Sequence, residues 1–273
     1  MKIAYFDCFS GASGDMILGA LIDAGASHKK LEEELKKLNL DHYECDSKKV
    51  LRSSITGTKF NVTIKEVTKN LHNHHHHHHR RTFKDIARLI DESSLDERVR
   101  RDSIRIFKNL AIAEGKVHNT LPENVHFHEV GAIDSIIDIV GAVIALHDLK
   151  IEKIYFSPIR TGTGFVKCDH GQFPVPAPAT IELLREQRVI NTNIQKELTT
   201  PTGAAILTTL GVNREICPEI TLLQRGYGAG SHEIPEMPNL LRVMIGETVT
   251  VSGQHEVWML ETNIDDMQGE HFG

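Results

Sequence analysis

The chain has 273 residues, 40% hydrophobic and 25% charged, with a formal net charge of −6. That composition is ordinarily globular and long enough for one large or two smaller domains, and its acidic balance argues against nucleic acid or an anionic membrane surface as partner. The longest apolar runs are too short and too interrupted to span a bilayer, and the start MKIAYFDCF lacks a signal-peptide pattern.

Cys8, Cys45, Cys168 and Cys217 lie far apart and form no CxxC. They fit a reducing cytoplasm, and point to neither a disulfide framework nor a four-cysteine zinc site. The 17 histidines are the compositional outlier.

In chain order, KIAYFDCF reads as a buried strand, GASGD as a tight glycine turn, and MILGALIDAG as a helix stopping at Gly25. HKKLEEELKKL is a second, amphipathic helix. The stretch from His42 to Glu66 suggests two strands around a turn near Gly57. A histidine-rich loop follows, at about residues 70–81. Thr82 with Asp85 and Ser94 with Glu97 resemble capping boxes, so helices are expected over Thr82–Asp91 and Asp96–Val117. VHFHEV is a short strand or turn. AIDSIIDIVGAVIALHDL is a mostly apolar, and therefore buried, helix.

KIYFSPI is the next strand. FPVPAPATIELL is extended as far as Pro178, where a helix can start, and ELTTPTGAAILTTL repeats that device at Pro201. TLLQRGYGAG, NLLRVMIGE and HEVWMLETNIDD are later strands. Alternating strands and helices without an internal repeat predict an α/β (or α+β) fold: a mixed, largely enclosed sheet covered by helices, with a disordered histidine-rich loop.

Three stretches can carry chemistry. The first is LHNHHHHHHRRTF, with its run His74, His75, His76, His77, His78 and His79. Neutral imidazole suits nickel, zinc, cobalt and copper, and adjacent histidines on a loop give affinity without fixed geometry. Such a run captures or delivers metal rather than catalysing on it. An inserted tag or solvated linker is the bland alternative; a position between a strand and a capped helix favours a native loop.

The second is FDCFSGASGDM. A strand, a glycine turn and a helix in that order aim backbone N–H groups at an anion. Ser10, Gly11, Ser13, Gly14 and Asp15 would contact it, with Asp7 or Asp15 able to hold a cation beside a phosphate. The GK[ST] ending of a P-loop is missing, and the plain alternative is a tight turn with Asp15 serving the helix dipole.

The third is VHFHEVGAIDSIID. His126 and His128 face one side of a strand, Glu129 follows, and Asp134 and Asp138 share a helix face. Carboxylates on an apolar helix cost free energy unless paired, which points to a mixed N/O site for a transition metal, or else to pairing with Arg or Lys from elsewhere. The threonines of TTPTGAA read chiefly as a helix cap. The glycines of RGYGAG either approach a ligand or form a bulge. Arg160 could clamp an anion, and Cys8 reads as a packed thiol.

Taken together, YFDCFSGASGDMILGALIDAG, the internal His run, VHFHEVGAIDSIIDIVGA, FPVPAPAT, ELTTPTGAAIL, GYGAG and ETNIDDM occur in one order along nearly the whole chain. In this they resemble the LarC family, the nickel-insertion proteins of nickel-pincer cofactor biosynthesis. The resemblance implies a cyclometallase that inserts nickel into pyridinium-3,5-bisthiocarboxylic acid mononucleotide, coupled to CTP with manganese or magnesium. The product serves lactate racemase and related enzymes.

It also implies a family N-terminal domain over residues 1–250. Residues 251–273 would begin a C-terminal, CTP-binding and oligomer-forming domain, supplied here as a second-frame portion. Beyond the run His74 to His79, the roles come from the residues themselves and not from the resemblance: His128 or Glu129 accepts the ring proton, His126, His128, Asp134 and Asp138 handle the metal, and the GASGD turn holds the nucleotide phosphate. The alternative is a nickel-binding metallochaperone or nickel store without catalytic activity of its own.

Overall fold

The computed structural model describes residues 1–65, 81–127, 133–168 and 171–249. Alternation in KIAYFD puts Ala4 and Phe6 on one face of β1 (Lys2–Asp7) and Ile3 and Tyr5 on the other, and all four are buried. The glycine turn leads into α1 (Gly14–Asp23). Next comes α2 (His28–Leu35), capped by the Ser27 side chain, which accepts the N–H of Lys30.

β2 (Tyr43–Arg52) and β3 (Ile55–Ile64) form the expected hairpin, but its turn is Ser53–Ser54, with φ of 46° and 66°. Gly57 lies inside β3 instead. A Cβ there would sit 2.7 Å from Leu240 Cδ2, so the glycine is kept for packing and not for turning.

Thr82 and Asp85 make the expected capping box on α3 (Phe83–Asp91). For α4 (Glu97–His118) the N-cap is Asp96, not Ser94; its carboxylate accepts the N–H of Arg98. The apolar helix is α5 (Ile133–Asp148), with ten consecutive-face residues buried between Ile136 and Leu146. After it come β4 (Lys153–Phe156), β5 (Ile159–Thr161), β6 (Phe165–Cys168) and β7 (Gly171–Pro174). α6 (Pro178–Leu183) starts at the anticipated proline. β8 (Val189–Asn191), α7 (Pro201–Leu210), β9 (Gly211–Asn213), β10 (Ile220–Ala229) and β11 (Leu240–Thr248) complete the described chain.

Seven strands form one mixed sheet in the order β2-β3-β10-β11-β1-β4-β9. β1 is parallel to β4 and antiparallel to β11, and β4 is parallel to β9. The long crossovers needed between parallel strands place α1, α5 and α7 together over one face, against Phe6, Phe60, Val243 and Ile245. Enclosure is one-sided. On the second face Ile3, Tyr5 and Tyr155 form a small cluster with Cys217, Ile220 and Met244. The Tyr5 hydroxyl donates there to the Arg214 and Glu215 carbonyls, both at 3.2 Å.

Close approach sets the position of α1. A Cβ on Gly228 would lie 1.7 Å from the Met16 carbonyl oxygen, and one on Gly226 2.1 Å from that of Ala20. These two glycines of RGYGAG therefore seat a helix and do not contact a ligand. No helix among the described residues is long and apolar enough to cross a membrane.

Candidate functional site

The glycine turn sits where three distant stretches meet. Gly11 has φ +86°, and a Cβ there would fall 2.0 Å from the Leu198 carbonyl oxygen. The N–H of Ala12 donates to Thr199 Oγ1 at 3.2 Å and that of Gly14 to Thr202 Oγ1 at 3.3 Å. Asp15 donates its N–H to the Asp138 carboxylate, and Met16 donates to Asp15 Oδ1 at 2.9 Å. The orphan donors that open a helix are thus taken up by side chains of the α7 entry and of α5. Asp138 fits because position 14 is glycine: a Cβ there would be 2.8 Å from Asp138 Cβ.

The consequence for the turn is specific. Its side chains, not its backbone, face the adjoining cleft of about 380 Å³. Ser13 and Asp15 line that cleft, with Thr200, Gly230, Ser231 and His232 opposite. Ser10, Gly11 and Gly14 are buried beneath it. Thr200 also caps α7, accepting the N–H of Gly203 at 3.2 Å. Asp7 takes no part: it is on the other face of β1, paired with Arg242 at 2.5 Å.

Charge at the cleft floor comes from three chain segments. Asp15 accepts from the Ser13 hydroxyl and the Lys59 ammonium, and Lys59 donates in addition to Ser231 Oγ at 2.9 Å. Lys59 reaches in from β3 and is almost wholly buried. Burial raises the Asp138 carboxyl well above the usual carboxylate range. The negative charges of Asp15 and Asp134 add to that rise, and Lys59 opposes it. Two aspartates and one lysine therefore share the space between α1, α5 and β3, and Asp138 holds its proton to higher pH than an ordinary carboxyl does.

The cleft mouth is built differently. Phe165 opens the β6–β7 hairpin and is 69% exposed, leaving one large ring free at the edge. Lys196 stands exposed on the same wall. Behind the wall, the Asn239 side-chain amide donates to the His232 carbonyl at 2.8 Å, which holds the loop after β10 in place. Cys8 lies under the turn as a packed thiol; burial, then the charge of Asp7, pushes its pKa far up.

His126 is exposed and bridges Thr82. Phe127 N–H donates to the Arg81 carbonyl at 3.2 Å and Phe83 N–H to that of Val125 at 3.4 Å. The residues leaving the histidine run are therefore bonded to those leading into His128. The run itself, His74 to His79, and also His128 and Glu129, lie outside the described residues. Asp134 is exposed, and its carboxylate accepts the Ser135 N–H at 2.8 Å. Among the described residues no three His, Cys, Asp or Glu side chains are grouped to hold a metal ion. His126, Asp134 and Asp138 by themselves do not form such a site.

The chain matches the nickel insertion protein family over residues 4–273. It belongs to that family. It is 46% identical over 282 residues to the pyridinium-3,5-bisthiocarboxylic acid mononucleotide nickel insertion protein of Geobacillus kaustophilus, covering 100% of this chain and 69% of the relative. The protein of the same description from Acetivibrio thermocellus is 48% identical, with 100% of this chain and 67% of the relative covered. A putative nickel insertion protein of Syntrophobacter fumaroxidans is 46% identical, with coverage of 100% and 68%. No solved structure matches. Nickel is accordingly this family's metal, and the glycine turn, the α7 entry and the loop after β10 that line the cleft are stretches of a nickel insertion protein.

Proposed function

We propose that this nickel insertion protein performs cyclometallation of pyridinium-3,5-bisthiocarboxylic acid mononucleotide, a lyase-class reaction that yields the nickel-pincer nucleotide, and that the cleft over α1 holds the nucleotide. The observation that carries this reading is the convergence of the GASGD, TTPTG and GAGS stretches on one cleft, in a chain whose relatives are described by that substrate. The exposed Phe165 ring stacks on the pyridinium, a cation presented to a π face. Lys196, Ser13 and Thr200 contact the phosphate, with Lys59 holding Asp15 back from it.

The histidine run, His74 to His79, gathers Ni²⁺ and passes it to the region of His126, His128, Asp134 and Asp138. Nickel then bonds to two sulfur atoms and to one ring carbon. The ring C–H bond breaks, its electron pair forms the carbon–nickel bond, and the proton goes to His128 or Glu129. CTP, with manganese or magnesium, is used together with the C-terminal portion of the longer relatives, of whose length this chain covers 67–69%. That portion also brings homo-oligomer contacts. The setting is the cytoplasm, and apo lactate racemase is a recipient of the product.

Calorimetric titration with the substrate nucleotide tests the placement. Phe165→Ala and Lys196→Ala should each raise Kd about tenfold, in line with ~1–3 kcal/mol for stacking a base on a ring. Unchanged affinity in both variants would move the nucleotide out of this cleft.

A further inference from the structure

The seven-stranded sheet ends on two unlike edges. At one, β9 is three residues long; at the other, β2 is ten. The inner side of β2 pairs with β3 in one unbroken register, from Tyr43↔Ile64 to Arg52↔Ile55, without a bulge or a proline. Among the described residues no strand pairs with its outer side. A long, regular edge offers a row of unpaired N–H and C=O groups to another strand, and proteins ordinarily blunt such edges by shortness, proline, bulges or charge. β9 is blunted by shortness. β2 has charge alone, and its charges are placed so that one partner is admitted.

Contacts fix the two faces of β2. Ser47 Oγ meets His28 Nδ1 at 3.3 Å, Lys49 pairs with Asp23 of α1, and Tyr43 and Cys45 pack against the core. Odd positions therefore face the helices. Leu51 continues that face, yet it is 63% exposed. Asp46 and Lys48 lie on the other face, and both are exposed. Asp46 accepts from Asn61 Nδ2 at 3.2 Å, and Lys48 has no partner among the described residues.

This pattern is complementary to itself. In an antiparallel pairing about a two-fold at Ser47, Asp46 falls opposite Lys48 of a second copy, and Lys48 opposite its Asp46. On the helix face, exposed Leu51 falls opposite the second copy's Tyr43. Opposite charges and aromatic–aliphatic pairs directly across a ladder are stabilising, and like charges there are destabilising. Moving the axis by one residue sets Asp46 against Asp46 or Lys48 against Lys48. Placing it between residues would set one face against the other, which the pleat forbids.

We propose that two copies of this chain join edge to edge through β2, antiparallel about a two-fold axis at Ser47, making one continuous sheet. The interface is isologous, so each complementary pair occurs twice. It is a contact of this domain's own and does not depend on where the nucleotide binds.

Sedimentation velocity of the full chain at micromolar concentration tests it. The wild type should run as a dimer, at twice 30.6 kDa. Asp46→Lys and Lys48→Asp each set like charges opposite one another at two places, and each should raise the dimer dissociation constant about tenfold or more. Mixing these two variants should restore the dimer, because one supplies both lysines and the other both aspartates. The double variant Asp46→Lys/Lys48→Asp should dimerise on its own. Both positions are exposed, and rescue on mixing requires folded chains. A monomeric wild type, a dimer that neither reversal weakens, or reversals that mixing does not rescue would overturn the proposal.

Discussion

Replacing Lys59 with methionine keeps an unbranched stem of similar length and deletes the ammonium on which the cleft floor depends. The Lys59 and Asp15 side chains are 11% and 21% exposed, so water screens the pair little. Deleting one partner of a buried pair costs about 3–5 kcal/mol. Asp15 keeps two other donors, the Ser13 hydroxyl and the Met16 N–H, which trims the loss to about 2–3 kcal/mol. Deletion also removes the cation that opposes the rise of the Asp138 pKa, so Asp138 should hold its proton to still higher pH. Urea unfolding followed by far-UV circular dichroism should show a midpoint shift at unchanged slope. Asp15→Asn should cost less than half as much in the Lys59→Met background as in the wild type, a coupling above about 1.5 kcal/mol. A loss below about 0.5 kcal/mol, or strict additivity, would refute the charge-paired floor.

Asp138→Asn tests the same cluster by pH. The folded Asp138 pKa is raised, so folded protein binds a proton that unfolded chain releases. The associated stability is fully present below the unfolded value of about 3.9 and is lost as pH rises through the folded value. Asparagine can still accept the Asp15 N–H, so the variant should gain stability relative to wild type on going from acid to mildly alkaline pH; parallel stability profiles would contradict this. Replacing His74 to His79 with serine should remove most nickel equivalents bound at neutral pH without changing the unfolding midpoint. In the wild type, capture by the run should weaken below about pH 6.5, where imidazole protonates. Equal nickel binding by the serine variant would deny the run its gathering role.

Much of the scaffold was legible locally. A continuous apolar run marked β1 as a buried strand, the capping box marked α3, and the proline starts of α6 and α7 fell where expected. The cost of a carboxylate on an apolar helix drew attention to Asp138, and the structure places it against the glycine turn. What stayed hidden was long-range. Thr199 and Thr202 consume the turn's N–H groups from across 187 and 188 residues, so a turn that looks open to an anion in sequence has its donors taken in the fold. Lys59 reads in TGTKFNV as an ordinary strand lysine, and nothing nearby signals that β3 carries it under Asp15. Phe165 and Ser231 gave no signal either, since tertiary contact alone brings them to the cleft. The hairpin turn was misplaced because glycine is the stronger turn signal, while Ser53 and Ser54 adopt positive φ without it.

The central claim is that this chain acts on the nucleotide and does not merely store nickel. Its most direct test is the mass of the nucleotide after incubation with nickel, CTP and manganese, with the C-terminal portion of a longer relative supplied. The account predicts a product that has gained one nickel and lost the ring proton, and its absence when His128→Ala replaces the wild type. Nickel held on the protein while the nucleotide mass stays unchanged would contradict it.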